Sequence, residues 1–207
     1  MKIICIGRNY IDHITELGSI EERPSEPLYF MKPDTALLRN NDPFYIPSFT
    51  QRVDYECELV VKINRIAKCI EERFASRCYS EVTLGIDFTA RDKQQEAIAK
   101  GLPWEFCKAF DHSAAVSPKF IQLDELATNI DNLHFEMEIN GEVRQCATTA
   151  DMLFSVDKII SYVSQFVTLK IGDLIFTGTP VGVGAVKAGD NIKARLEGRE
   201  LLNFDIK

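Results

Sequence analysis

No apolar run in these 207 residues approaches the ~20 needed to span a bilayer, so no membrane-crossing helix is expected. Positive charge is scarce. Twenty-four Lys and Arg stand against 31 Asp and Glu, a formal net charge of −7, and there is no basic footprint for nucleic acid. Cysteine pairs at metal or redox spacing are missing: Cys5, Cys57, Cys69, Cys78, Cys107 and Cys146 include no C-x-x-C. A disulfide framework is not expected at this length and spacing, and buried free thiols in a reducing cytoplasm are the simplest account. Repeats, low-complexity tracts and Gly/Ser linkers are absent, which leaves one domain over residues 1–207. The Gly-rich stretch Thr177-Gly-Thr-Pro-Val-Gly-Val-Gly184 lacks Gly-Lys-[Ser/Thr] and carries Pro180, so it is neither a P-loop nor a dinucleotide fingerprint. It can still present hydroxyls and backbone N–H groups to a carboxylate, and a structural turn explains it equally well.

Glu56 and Glu58 are the most informative residues present. They sit in Tyr55-Glu-Cys-Glu-Leu-Val-Val-Lys-Ile63, a short run rich in β-branched and aromatic residues that reads as a strand. In a strand residues i and i+2 share a face, so two carboxylates project together while Tyr55, Cys57 and Leu59 face the other way. Like charges that close repel, and the pair needs solvent, cations or a metal. A solvated edge would explain an isolated Glu-x-Glu. A third acid changes the balance: Asp87 ends the apolar run Thr83–Asp87 and leads into residues 88–100 of helical composition, followed by Gly101. Three carboxylates with no nearby His or Cys make a hard, all-oxygen donor set suited to Mg²⁺, Mn²⁺ or Ca²⁺.

The rest of the chain reads as many short strands and two or three helices, a β-rich α+β pattern without regular βαβ alternation. The segment Met1–Gly7 resembles a first strand rather than a signal peptide. Residues 9–17 suit a short helix capped by Asn9. Leu28–Lys32 is a strand stopped by Pro33, and residues 39–52 are irregular around a turn at Asn40–Pro43. Residues 70–80 are ambiguous. Leu133–Ile139 alternates, and Asn140-Gly141 signals a hairpin returning through Glu142–Cys146. Ser155 caps a helix with Ile159, Ile160, Val163 and Phe166 on one stripe. Strands are expected at Leu174–Phe176, Asn191–Leu196 and Leu201–Ile206.

Four further groups carry chemistry. His13 and Glu16 form H-x-x-E, which places an imidazole and an orienting carboxylate on one helical face; an exposed surface pair has the same spacing. Arg91, Asp92 and Gln94 open the helix after Asp87, where backbone N–H donors and Arg91 could hold an anionic group. Lys108 lies in the apolar stretch Leu102–Phe110 with the only Trp, a setting for a desolvated electrostatic stabiliser or for a Lys whose ammonium snorkels to water. Cys107, beside Lys108, is a candidate thiol nucleophile, although sequence adjacency by itself does not bring side chains together.

Taken in order, Ile6-Gly-Arg-Asn-Tyr10 with His13, Phe30-Met-Lys-Pro33, Glu56-Cys-Glu58, Asp87-Phe-Thr-Ala-Arg-Asp-Lys-Gln94, Leu102-Pro-Trp104 with Lys108, and Thr177–Gly184 resemble the fumarylacetoacetate hydrolase family over essentially the whole chain. Within it the acylpyruvate hydrolases are most similar, some of which also decarboxylate oxaloacetate. The resemblance implies layered mixed sheets rolled into a barrel-like core, a homodimer, and a mobile lid over about residues 9–27. It implies Mg²⁺ or Mn²⁺ held by Glu56, Glu58 and Asp87, and a small 2-oxo acid substrate. His13 and Glu16 match the acid/base dyad, Lys108 and Gln94 match substrate-contacting residues, and Arg91 and Thr179 match positions near the substrate carboxylate. The implied reaction is carbon–carbon cleavage of an acylpyruvate to pyruvate and a carboxylic acid. Asp54-Tyr55, where relatives often carry His, and Phe88, where Met is frequent, depart from the commonest pattern. Two other readings stay open: an isomerase or decarboxylase of unsaturated dicarboxylic acids, and a non-catalytic cation-binding protein. The last predicts Lys108 and His13 far from the acids.

Overall fold

The structure is a computed structural model and describes residues 1–12 and 24–207. The segment that carries His13 and Glu16 therefore lies outside the described residues.

Strand β1 (Ile3–Gly7) is followed by β2 (Leu28–Lys32), β3 (Leu37–Leu38), β4 (Val53–Tyr55), β5 (Cys57–Ile63), β6 (Tyr79–Asp87) and β7 (Thr89–Ala90). Helices α1 (Arg91–Lys100) and α2 (Glu105–Lys108) come next, then β8 (Ala114–Val116), β9 (Ile121–Gln122) and the hairpin β10 (His134–Ile139) and β11 (Glu142–Thr148). Helix α3 (Val156–Phe166), β12 (Leu174–Phe176), β13 (Gly184–Ala185), β14 (Asn191–Leu196) and β15 (Arg199–Asp205) complete the order. A mixed eight-stranded sheet runs β2-β1-β12-β5-β6-β8-β3, with β9 also on β6. A four-stranded antiparallel sheet, β11-β10-β14-β15, covers it, and β13-β4-β7 form a small third sheet. The β-rich α+β expectation holds.

Strand alternation explains the layers. Tyr55, Cys57, Leu59 and Val61 point into the main core with Phe135, Met137, Ile192 and Leu202 of the second sheet. Val60 points the other way, into a smaller cluster with Ile3, Cys5, Ala114 and Phe176. Glu58 shares that opposite face by period, so the acids stand at the rim of the smaller core.

Three expectations change. The strand over 55–63 breaks at Glu56, because β4 leaves the large sheet to pair with β7 and β13 while β5 stays in it. The helix over 88–100 begins at Arg91, because Thr89 and Ala90 are paired with Asp54 and Val53; it ends as expected at Gly101, whose φ of 62° is the left-handed cap. Ser155 does cap α3, accepting from Lys158 N at 3.2 Å, and Ile159, Ile160 and Val163 are buried. Phe166 is 55% exposed instead, packing edge-on to Tyr162 near the helix end. The ambiguous segment 70–80 contains a 3₁₀ helix over Glu72–Cys78. Asn9 spends its side chain on long-range bonds: its amide donates to Phe154 O at 3.1 Å and Thr177 O at 2.7 Å, and its carbonyl accepts from Phe154 N.

Candidate metal centre and cleft

The three acids meet because of register. Cys57 pairs with Ile86 and Glu58 with Gly85, which sets Asp87 across from Glu56; Asp87 N donates to Glu56 O at 2.8 Å. Directly opposed positions on one face bring side chains within reach. All three carboxylates are buried, and each offers an oxygen within 4.8 Å of the others. Gly85 has no side chain on that face, and a Cβ there would stand 2.6 Å from the Phe176 ring.

Cations surround the acids. Lys108 Nζ lies 2.7 Å from Glu56 Oε2 and 2.9 Å from Asp87 Oδ2, and it donates to Thr89 Oγ1. Helix α2 carries it into the site, where it is only 3% exposed, so the desolvated reading of Lys108 is correct. Burial pulls the Lys108 ammonium down, but Asp87 and Glu56 outweigh it and hold its pKa above the ordinary lysine value. Arg91 donates through Nε to Asp54 Oδ2 at 2.7 Å, and through its other nitrogens to Gln94 Oε1 at 2.5 Å and Glu56 Oε1 at 2.6 Å. Lys32, fully buried, lies 2.7 Å from Asp87 Oδ1 and donates to the Ser113 carbonyl and hydroxyl at 3.0 Å and to the Lys108 carbonyl.

Glu58 is held differently. Its Oε2 accepts from Gly178 N at 2.7 Å, at the mouth of the Gly-rich loop. Burial first, then the charges of Asp87 and Glu56, push its carboxyl well above the usual carboxylate range. Asp87 Oδ1 is buried without an aligned hydrogen-bond donor, although the Lys32 ammonium is near. Three buried carboxylates this close together, one of them disfavoured as an anion by burial and its neighbours, fit a hard divalent cation, and the all-oxygen donor set suits Mg²⁺ or Mn²⁺.

The acids open onto a small cleft. Arg91, Gln94, Lys108 and Thr179 line it together with the three carboxylates, whereas Asp92 turns its carboxylate to Thr50 and Gln51 N, and Cys107 stays out of it. Phe30 and Trp104 form an apolar wall, with ring centroids 5.9 Å apart, and Lys108 Nζ stands 5.1 Å from the Phe30 centroid. The non-catalytic reading predicted a distant Lys108, and its ammonium instead bridges two of the acids. Cys107 is no nucleophile: it is buried, its Sγ bonds Trp104 O at 3.0 Å, and burial pushes its thiol up to about 11. All six thiols are free. Thr179 reaches the cleft with its hydroxyl proton committed to Cys57 O at 2.9 Å. Lys32 and Asp54 escaped sequence reasoning as site residues; for Lys32 the signal available was a charged residue in the expected strand Leu28–Lys32, whereas Asp54 stands just ahead of the expected strand Tyr55–Ile63.

Curled mixed sheets around a buried three-carboxylate cluster, walled by two lysines and an arginine, define a class of protein with a candidate cation site. Within that class the chain belongs to the fumarylacetoacetate hydrolase family, whose C-terminal model matches residues 2–205. The oxaloacetate tautomerase FAHD1 of Bos taurus, described as mitochondrial, is 40% identical over 206 residues, covering 100% of this chain and 91% of the relative. Fumarylpyruvate hydrolase from Pseudomonas aeruginosa, solved with Mn²⁺ and pyruvate, is 33% identical with a TM-score of 0.92 over 100% of this chain and 89% of that one. A 5-carboxymethyl-2-hydroxymuconate delta-isomerase from Mycobacterium smegmatis is 31% identical with a TM-score of 0.86, over 99% and 77%. No helix among the described residues is long and apolar enough to cross a membrane.

Proposed function

We propose that this protein is a divalent-cation-dependent enzyme acting on small 2-oxo acids, and that it interconverts the enol and keto forms of oxaloacetate. The observation that carries the reading is the buried trio Glu56, Glu58 and Asp87, with ligand oxygens within 4.8 Å of one another and the Lys108 ammonium bridging two of them. The tautomerase relative, matched over all of this chain and 91% of its own length, supports oxaloacetate as substrate.

Mg²⁺ or Mn²⁺ held by the trio would supply Lewis acidity to the oxo-acid end of the substrate. The chain's own groups account for the rest. Arg91 has five N–H groups and spends three on Asp54, Gln94 and Glu56, leaving two for a substrate carboxylate. Gln94 accepts from Arg91 and keeps its NH₂ as a donor at the cleft. Lys108 places a buried positive charge where an enolate oxygen gains charge, and stabilises it more strongly there than in water. Phe30 and Trp104 exclude water from that side. His13, oriented by Glu16, is the group we assign to move the proton at the substrate carbon.

A second reading, hydrolysis of acylpyruvates to pyruvate and a carboxylic acid, is favoured by the relative solved with Mn²⁺ and pyruvate. It needs water activation in addition, a task for the same His13–Glu16 pair. We also propose a homodimer, checked by light scattering.

The deciding experiment supplies enol-oxaloacetate, acetylpyruvate and fumarylpyruvate with Mg²⁺ or Mn²⁺, and follows enol absorbance and pyruvate release. Rapid enol decay that EDTA and Glu58→Gln both abolish is the expected result. Enol decay no faster than in buffer with the same metal would overturn the tautomerase reading. Pyruvate release from an acylpyruvate, lost in His13→Ala, would favour the second.

A further inference from the structure

The Gln145 side chain on β11 reaches across from the second sheet to the strand that bears the acids. It is 1% exposed. Its Oε1 accepts from Cys57 N at 2.9 Å, and its Nε2 donates to Thr179 Oγ1 and to Pro180 O, each at 2.9 Å. Both amide donors are therefore spent, and neither reaches a carboxylate. The two partners are the ones that matter. Cys57 is the residue between Glu56 and Glu58. Thr179 follows Gly178, whose N–H holds Glu58 Oε2, and the Thr179 hydroxyl donates back to Cys57 O. The loop also packs directly on β11 beyond this point: a Cβ on Gly182, at φ +99°, would stand 2.2 Å from Arg144 O.

We infer that Gln145 is a positioning residue of the cation site, fixing the Gly178–Pro180 loop against the Glu56–Glu58 segment and thereby aiming Glu58. The Thr179 hydroxyl is a link in this clamp. Its one proton goes to Cys57 and one of its lone pairs to Gln145, so it has no proton left to give a substrate carboxylate. Outer hydrogen bonds of this kind set the orientation of metal-binding side chains, and their loss typically weakens metal binding about 10- to 100-fold.

The inference rests on the metal reading of Glu56, Glu58 and Asp87, and the test separates the two. Calorimetric titration with Mn²⁺ is run on the wild type, Gln145→Met, Thr179→Val and the double variant, with thermal melts beside it. Gln145→Met and Thr179→Val are each expected to raise the Mn²⁺ Kd about tenfold. The double variant should be no worse than the worse single, because both delete one linkage. A purely structural role for Gln145 predicts a lower Tm with the Kd unchanged, and that result overturns the inference. Independent, multiplying effects in the double variant overturn it too. Should Gln145→Met fail to fold, Gln145→Glu keeps the bond from Cys57 N and loses the two donations. The same weakening is expected of it, and an unchanged Kd overturns the inference. A wild type that binds no Mn²⁺ sinks the metal reading itself.

Discussion

The Lys32 ammonium stands 2.7 Å from Asp87 Oδ1 while Lys108 holds Asp87 Oδ2 at 2.9 Å, so one buried carboxylate carries a lysine on each oxygen. Lys32 also ties the Lys108 carbonyl and Ser113 together, and Ser113 Oγ donates to the same carbonyl at 2.8 Å. Removing one partner of a buried pair leaves an uncompensated charge, at a cost of about 3–5 kcal/mol. Lys32→Met should lose stability on that scale in urea unfolding without added metal. A loss below about 1 kcal/mol, the range of a surface change, would show that Asp87 does not depend on this ammonium.

Lys108 differs from Lys32 because it lines the cleft. With Mn²⁺ present to balance the acids, Lys108→Met should fold and still bind the metal. Its kcat should fall about 10²–10³-fold, as when one preorganised donor is removed from developing negative charge. Equal kcat in variant and wild type would remove Lys108 from the chemistry.

The acids were legible in the sequence because each signal is local. Period-two alternation puts Glu56 and Glu58 on one face, and Asp87 ends an apolar run just before a helical pattern. The hairpin at Asn140-Gly141 and the cap at Ser155 are local as well, and both stand as expected. What escaped was non-local. The helix start moved to Arg91 because β7 pairs with β4, a contact no window around residue 88 contains. Lys32 reads as one polar residue in a strand until Ser113, 81 positions later, folds over it. Gln145 reads as an ordinary hairpin residue until it meets Cys57, 88 positions earlier. The helical stripe also overreached at Phe166, the last residue of α3, which is 55% exposed while Ile159, Ile160 and Val163 are buried.

Gly85 tests the packing under the acids. A Cβ there would stand 2.6 Å from Phe176 Cε1 and 2.9 Å from Ala115 O, the first a buried ring and the second backbone. Neither can move without disturbing β12 or β8, and overpacking of this kind costs about 1–3 kcal/mol. Gly85→Ala should lower Tm and, by shifting β6, weaken Mn²⁺ binding in the same protein. An unchanged Tm would mean that the smaller core is looser than its contacts indicate.

The thiols give a prediction about pH. Cys69 and Cys146 are exposed, whereas Cys5, Cys57, Cys78 and Cys107 are buried. Iodoacetamide at pH 8 should therefore label the exposed pair in the folded protein and all six cysteines after unfolding. Burial raises the Cys107 thiol from 9.0 to about 11, with Lys108 pulling against it, and burial raises Cys5 and Cys57 in the same direction. A raised folded pKa means that the fold favours the neutral thiol. That contribution is complete below pH 9 and is lost as pH rises through about 11, because the unfolded chain ionises first. Unfolding free energy should decline over that window, and Cys107→Ala should make the decline shallower. Labelling of Cys107 in the folded protein at pH 8, read by peptide mass, would show that helix α2 opens and exposes the wall beside Lys108.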